Sequence, residues 1–211
     1  MAKIIRLGAV LFLITVVTGI ILGGVHTMTL EPIRQAKERE KMEALAATLP
    51  AAKEFKAVEV SGKPEYIKEV NAGTDNGQLM GYNITVSSKG YGGMIDMVVG
   101  ISSGGDLMGI KILSHSETPG LGARAPEPAF SGQFKDKKAA ALSIVKTAPS
   151  SDSEIQAISG ATITSTAVTT GVNQAVDFWK NNLKDGAKPV ANSQTPDAIS
   201  SSSRRPGKVG I

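Results

Sequence analysis

The chain has 211 residues, enough for one well-packed domain with attachments. It contains no cysteine and only two histidines, His26 and His115, which excludes disulfides and cysteine nucleophiles and argues against a multi-histidine metal site. The net charge of +4 is mild, aromatic residues make up 4% of the chain and the basic residues form no stripe, so nucleic-acid binding is not predicted.

The N-terminal segment has the pattern of a membrane anchor. An uncharged run, residues 7–25, follows Lys3 and Arg6. It is close to the roughly 20 apolar residues that a helix needs to cross the hydrocarbon core, so a transmembrane helix is predicted. A cleavable signal is the alternative, but its apolar region would span about 7–15 residues and end in a small-residue cleavage site, which this segment lacks. The two positive charges predict that residues 1–6 stay in the cytoplasm and that the rest of the chain lies outside.

A second helical segment follows the apolar run. Residues 30–49, LEPIRQAKEREKMEALAATL, are rich in helix formers and carry a rough apolar stripe among charges. Pro32 suits a first helical turn, and Pro50 would end the helix. Residues 26–55 are therefore predicted to form a linker helix between the membrane and a globular domain.

The hydrophobic period then changes from helical to alternating. Five β-branched or alternating stretches are separated by clusters of Gly, Asn and Asp, and they cover residues 57–61, 66–70, 79–87, 94–102 and 107–113. The sequence SSGGD at 102–106 predicts a hairpin turn. Helical patterns return after about Pro126, with a short helix predicted over 126–134 and a further strand over 141–146.

This order of elements predicts the fold class. Strands first and helices later favour an α+β fold, in which an N-terminal transmembrane helix is followed by a domain with an antiparallel or mixed sheet and flanking helices. The domain is predicted over residues 56–186. Residues 187–211 hold few large apolar side chains and are predicted to be a disordered tail.

Two glycine-rich segments could line a ligand site. In SHSETPGLGA, residues 114–123, one proline and two glycines allow tight turns and close backbone approach, although an ordinary loop has the same composition. His115 is not favoured as a base for a Ser or Thr nucleophile, because no G-x-S-x-G elbow is present. In SKGYGGMIDMVVGI, residues 88–101, neither a P-loop nor a dinucleotide fingerprint is found, so a glycine-rich turn before a core strand is the simplest interpretation.

A third segment, ISGATITSTAVTTGVNQAVDFW at residues 158–179, carries an unusual number of hydroxyls. Its apolar positions after Thr164 fit one helical face, so Thr162 to Ser165 are placed at or just before a helix N-terminus. Unpaired N–H groups there attract phosphate. The alternative to a phosphate site is an ordinary helix cap made by one Ser or Thr hydroxyl. The segment has five hydroxyls, more than a cap needs. The residues alone leave both interpretations open.

Taken together, these segments resemble the FMN-binding domain family. Ser159–Ser165, S-G-A-T-I-T-S, resembles the family's flavinylation motif, and His115–Gly122, H-S-E-T-P-G-L-G, resembles the companion motif of the RnfG and NqrC branch. The N-terminal anchor and the glycine-rich turn before a central strand are also similar. The resemblance extends over roughly residues 1–183.

The resemblance implies a cofactor and its site. Thr162 would carry covalent FMN through a phosphoester bond, attached by a separate flavin transferase that uses FAD and magnesium. Leu121 would be an apolar contact of the flavin and Tyr91 a neighbour. The other implied cofactor-binding residues are Ser159, Gly160, Ala161, Ile163, Thr164, Ser165, Glu117, Thr118 and Gly120. No catalytic residue or metal ligand is expected. Gln156 stands where the family usually places Asp, which predicts less efficient modification.

The implied function is electron transport. The chain would be a single-pass inner-membrane redox subunit without a complete active site of its own, whose partners are the other subunits of an ion-translocating ferredoxin:NAD oxidoreductase (Rnf) complex. An NqrC-type component of a sodium-translocating NADH:quinone reductase is one alternative, and a flavin domain of another extracytoplasmic redox pathway is a second. The third is an anchored binding or structural protein without flavin, such as a pilin-like protein, but the glutamate expected near the start of its apolar run is missing.

Overall fold

The N-terminal part of the protein is one long helix. The computed structural model describes residues 2–60 and 62–184. Helix α1 (Ala2–Thr48) is continuous, with Pro32 inside it rather than at a first turn. Proline removes one helical hydrogen bond, but helix-forming sequence on both sides allows the helix to continue past it. Of the helices in the described part of the chain, α1 is the one with a stretch long and apolar enough to cross a membrane.

The predicted linker helix, residues 26–55, differs from the structure at its end. Helix α1 stops at Thr48, and strand β1 (Glu54–Ala57) has already begun by residue 54. Pro50 accounts for the stop, because proline disfavours a further helical turn and commonly lies one or two residues after the end of a helix. The position of strand β1 is explained by its antiparallel pairing with the next strand. The strand propensity of its own residues does not reveal this pairing. The predicted tail, residues 187–211, lies outside the described residues.

The domain is built on a six-stranded antiparallel meander, which confirms the predicted sheet. Each strand pairs with its neighbours in the sequence, in the order β1 to β6. The strands that follow β1 are β2 (Ile67–Asp75), β3 (Gln78–Lys89), β4 (Met94–Ser102), β5 (Asp106–Ser114) and β6 (Lys137–Lys138). The turn from β2 to β3 contains Asn76 and Gly77, both at positive φ, as a two-residue hairpin requires. The predicted SSGGD turn joins β4 to β5.

The remaining elements follow the meander. The predicted short helix over residues 126–134 is α2 (Pro128–Ser131) followed by a 3₁₀ turn, Gly132–Phe134. A small parallel pair comes next, β7 (Ser143–Val145) with β8 (Glu154–Gln156). Helix α3 (Thr162–Asn182) ends the described chain and packs on β3 and β4. Its buried valines lie in the main core with the inward residues of these strands.

The other face of the sheet holds the end of α1. The side-chain nitrogen of Asn83 on β3 donates to the carbonyl of Leu45 at 3.0 Å, and its side-chain oxygen accepts from the hydroxyl of Thr48 at 2.9 Å. Gly100 on β4 permits this approach, since a Cβ there would lie 1.9 Å from the carbonyl oxygen of Thr48. The last turn of α1 is therefore fixed to the middle of the sheet, opposite α3.

Candidate functional site

The N-terminus of α3 is open to an anionic group. The helix begins at Thr162, as predicted, and its N-cap residue is Ala161. Alanine has no side-chain acceptor, and no side-chain hydrogen bond caps this end. A helix N-terminus presents several unpaired N–H groups and a partial positive charge. The first turn of α3 therefore offers the donors that a phosphate binds.

Two of the hydroxyls around this N-terminus have structural roles. Ser165 is fully buried, and its hydroxyl accepts from the N–H of Ile158 at 2.9 Å and donates to the carbonyl of Ala161 at 2.9 Å. Thr164 is also buried and donates to a carboxylate. Thr162 and Thr166, in contrast, are exposed. The surplus of hydroxyls thus divides into a buried pair that shapes the turn and an exposed set that faces solvent.

Replacing Ser165 by alanine is expected to destabilise the domain by about 1–3 kcal/mol, because the buried N–H of Ile158 would lose its acceptor. The measurement is urea unfolding of the chain without flavin, followed by circular dichroism. Thr166→Ala is the matched control, as it removes an exposed hydroxyl one residue further along the same helix. Equal unfolding midpoints for the two variants would contradict the structural role of Ser165.

The carboxylate of Glu117 connects three segments of the site. Its Oε2 accepts from the hydroxyl of Thr164 at 2.5 Å, and its Oε1 accepts from the N–H of Gly92 at 2.9 Å. Glu117 is 6% exposed. The glycine-rich turn, the loop that follows β5 and the first turn of α3 therefore meet at one buried charge. A buried carboxylate needs such partners, because an unpaired one is costly.

The glycines of both loops are explained by this meeting point. A Cβ at Gly122 would lie 2.6 Å from Glu117 Oε2 and 2.4 Å from Thr164 Oγ1. A Cβ at Gly90 would lie 2.4 Å from Glu117 Oε1. Either side chain would push the three segments apart. Sequence reasoning assigned these glycines to turns and missed the shared carboxylate.

A cavity of about 580 Å³ opens between these segments. It is lined by most of the predicted site residues, namely Tyr91, Glu117, Thr118, Leu121, Gly160, Ala161, Thr162, Ile163 and Thr164, together with Gly122. Its rim carries large apolar side chains that remain exposed: Leu121 is 43%, Ile163 57% and Tyr91 71% exposed. Exposed apolar side chains around a concave site of this size are typical of a small-molecule pocket.

The remaining predicted residues lie around this cavity rather than in its lining. Ser165 is beneath the helix start, and Gly120, at φ +76°, shapes the turn before Leu121. Ser159 lines a smaller neighbouring cavity of about 250 Å³ together with Gln156. The backbone of Gln156 is held by the side-chain amide of Gln133, at 2.7 and 3.2 Å, while its own side chain is exposed.

The cavity and the helix N-terminus fit FMN. A phosphate needs hydrogen-bond donors, which the uncapped first turn supplies. A flavin ring needs apolar walls, which Leu121 and Ile163 supply at the rim. Gly160, at φ +77°, lets the backbone pass close to Leu121, since a Cβ there would be 3.0 Å from its Cδ2.

Comparisons with known proteins show which family the chain resembles. Residues 90–177 match the family model of the FMN-binding domain. The chain is 39% identical over 161 residues to the G subunit of the proton-translocating ferredoxin:NAD(+) oxidoreductase complex of Clostridium ljungdahlii, covering 76% of this chain and 83% of that protein. It is 36% identical over 192 residues to the G subunit of the Na(+)-translocating ferredoxin:NAD(+) oxidoreductase complex of Acetobacterium woodii. This match covers 84% of this chain and 92% of that protein.

A solved structure shares the fold. The C subunit of the Na(+)-translocating NADH-quinone reductase from Parabacteroides distasonis superposes with a TM-score of 0.56 at 22% identity, over 72% of this chain and 96% of that chain. At this identity the likeness concerns the fold alone. The relatives from Clostridium ljungdahlii and Acetobacterium woodii, which have clear sequence similarity to this chain, are G subunits. The chain belongs to the family of the G subunits of ion-translocating ferredoxin:NAD oxidoreductase complexes, and it contains an FMN-binding domain.

Proposed function

We propose that this chain is the membrane-anchored electron-transfer component of an ion-translocating ferredoxin:NAD oxidoreductase complex, and that it carries FMN in a phosphoester bond to Thr162. Two relatives named as G subunits of such complexes support the assignment to a complex, with its other subunits as partners. The attachment rests on one observation. Thr162 is an exposed hydroxyl at the first position of a helix that no side chain caps, at the rim of a cavity of about 580 Å³.

The chain's own residues would bind and orient the cofactor. FMN supplies the redox chemistry when it is bound. The negative charge of the phosphoester would be stabilised by the first-turn N–H groups of α3. Leu121 and Ile163 would shield the ring from water, and Tyr91 would border it. Glu117 would contribute by holding the walls of the cavity in position, because both of its carboxylate oxygens are already hydrogen-bonded to those walls.

Attachment requires a flavin transferase with FAD and magnesium. The hydroxyl oxygen of Thr162 would form a bond to the FMN phosphorus of FAD, and the bond between that phosphorus and the bridging oxygen would break. AMP would leave, and the hydroxyl proton would be lost to it or to solvent. The exposed position of Thr162 lets a second protein reach it.

Replacing Gln156 by aspartate is expected to speed this attachment. The side chain at this position is exposed beside Ser159, so it can contact the transferase. The resemblance to the FMN-binding domain family implies a carboxylate there. The measurement is the rate at which purified transferase converts the chain to the flavin-bearing mass. A Gln156→Glu variant tests whether charge alone is sufficient. An unchanged or slower rate for Gln156→Asp would contradict the expectation.

We further propose that α1 crosses the membrane with its N-terminus in the cytoplasm and the flavin domain on the extracytoplasmic side. Lys3 and Arg6 precede the apolar run, and residues of that run are exposed rather than packed in the domain. Fusion of alkaline phosphatase after residue 184 should give an active enzyme. A fluorescent protein that folds only in the cytoplasm should stay dark in the same position. Inactive alkaline phosphatase together with a fluorescent fusion would show the opposite orientation, with the flavin domain in the cytoplasm.

The function is tested in membranes from a strain that lacks this chain. Ferredoxin-dependent NAD reduction should be lost, then restored by the natural chain. Loss of NADH:quinone reductase activity instead would favour the NqrC-type alternative. If both activities persist, the chain serves another extracytoplasmic redox pathway, and the proposal is wrong.

A further inference from the structure

The cavity proposed to hold the flavin carries an unbalanced charge. Glu117 is the one charged side chain in its described lining, which contains no lysine, arginine or histidine. Within residues 2–60 and 62–184, Glu117 forms no salt bridge. The wall of the cavity therefore carries one negative charge that no cationic side chain of the lining offsets.

The hydrogen bonds of Glu117 are those of an ionised carboxylate. One oxygen accepts from the hydroxyl of Thr164 and the other from the N–H of Gly92. An ionised carboxylate is an acceptor only, so both partners suit the charged form. Hydrogen bonds to an ionised group are also stronger than those between neutral groups. The charge is therefore held at a fixed place in the wall.

The cationic residues near this segment do not balance the charge. The Nδ1 atom of His115 accepts from the backbone N–H of Glu117 at 3.3 Å, as the unprotonated nitrogen of a neutral imidazole does. Arg124 pairs with Glu127 at 3.2 Å and lines the smaller cavity. Lys89 is exposed, so solvent and salt screen its charge. The partial positive charge of the α3 N-terminus would be taken up by the phosphoester.

Reduction of a flavin adds negative charge to such a cavity. One electron from a one-electron donor makes the ring an anion unless a proton from solvent is added with it. At an effective dielectric constant of about 20, a unit charge about 10 Å away changes an equilibrium constant by roughly tenfold. The cavity has a volume of about 580 Å³, so a ring inside it lies within about that distance of Glu117.

We propose that the carboxylate of Glu117 lowers the reduction potential of the flavin, in addition to holding the cavity walls in position. Its charge opposes the arrival of an electron and favours its departure to the next acceptor. This inference rests on the proposed attachment of FMN at Thr162. It adds a residue that sets the driving force of electron transfer without contributing to the attachment.

The test is a redox titration of the flavin-loaded chain. Full-length chain in detergent is co-expressed with the transferase, and loading is established by intact mass. Reduction by dithionite is followed by flavin absorbance against indicator dyes of known potential. Glu117→Gln removes the charge at similar volume, and Glu117→Asp retains it. Thr164→Val is the matched control, because it removes a hydrogen bond to the same carboxylate but leaves the charge.

Glu117→Gln is expected to raise the midpoint potential of the flavin. The change should be about tenfold in the reduction equilibrium constant, which is about 59 mV for a one-electron step or about 30 mV for a two-electron step. The shift should persist at an ionic strength of about 1 M, since a buried charge is screened much less than an exposed one. Glu117→Asp should keep the potential of the natural chain, and Thr164→Val should not raise it.

A second variant tests the charge without altering Glu117. Thr118 is exposed and lines the same cavity, so Thr118→Lys places a positive charge beside the carboxylate. The potential should rise in this variant as well. Thr118→Gln, which has a long side chain without charge, should leave it unchanged. This pair decides the question if Glu117→Gln carries too little flavin to titrate.

Two results would overturn the role of the charge. One is an unchanged potential in Glu117→Gln or, if that variant carries no flavin, in Thr118→Lys. The other is an equal rise in Glu117→Gln and Thr164→Val, which would assign the shift to loosened cavity walls. In both cases the natural chain carries flavin, and the proposed function stands. A natural chain without added mass after co-expression overturns the proposed attachment and this inference together.

Discussion

Replacing Thr162 by alanine is expected to abolish covalent flavin while leaving the domain folded. The hydroxyl is the proposed point of attachment, and alanine at the first position of a helix adds no strain and has high helix propensity. Thr162 is exposed and forms no side-chain hydrogen bond within the described residues, so its removal costs little stability. After co-expression with the transferase, a denaturing gel under ultraviolet light should show a fluorescent band for the natural chain and none for Thr162→Ala.

Thr166→Ala is the control for this loss. Thr166 is also exposed and lies one helical turn further along α3. It should keep the fluorescent band, because it does not carry the phosphoester. A band that persists in Thr162→Ala would assign the flavin to another residue.

Replacing Glu117 by alanine is expected to have the largest effect on the architecture of the site. The hydroxyl of Thr164 and the N–H of Gly92 would lose their common acceptor, and a void would open among three segments. The loss of two hydrogen bonds to a charged group, together with the void, should lower the free energy of unfolding by about 3 kcal/mol or more. The same segments form the cavity walls, so flavin loading should fall as well. Urea unfolding of the chain without flavin measures the first effect, and intact mass after co-expression measures the second.

Two further variants separate the role of the carboxylate from a general effect of losing a glutamate. Glu127 is exposed and forms a surface ion pair with Arg124 at 3.2 Å, so Glu127→Ala should change stability by less than about 1 kcal/mol. Glu117→Gln keeps the volume and one acceptor but turns a donor toward the second partner, and an intermediate loss is expected. Equal stabilities for Glu117→Ala and Glu127→Ala would show that the three segments do not depend on this carboxylate.

Local patterns predicted the central elements well. Strand β4 has the predicted bounds, Met94–Ser102, because it is an almost continuous apolar stretch between two turns. Helix α3 begins where small residues and hydroxyls give way to a regular apolar face. Strand β1 was placed a few residues too late, because its position is set by pairing with β2. The continuity of α1 through Pro32 was missed, since proline is more often a marker of a helix start.

The site could be predicted only in part, for a similar reason. The motif that begins at Ser159 indicated a phosphate site from helix physics alone. The contacts of Glu117 join residues 25 and 47 positions away, and no local pattern reports them.

Mass mapping of the chain purified from its own membranes is the decisive experiment for flavin attachment at Thr162. Proteolysis and tandem mass spectrometry would locate any added group on the peptide that contains residues 158–179. The predicted result is one addition, equal to FMN less one water, on the side chain of Thr162. An unmodified Thr162 together with flavin on another residue, or with no covalent flavin in the chain, would contradict the proposed attachment.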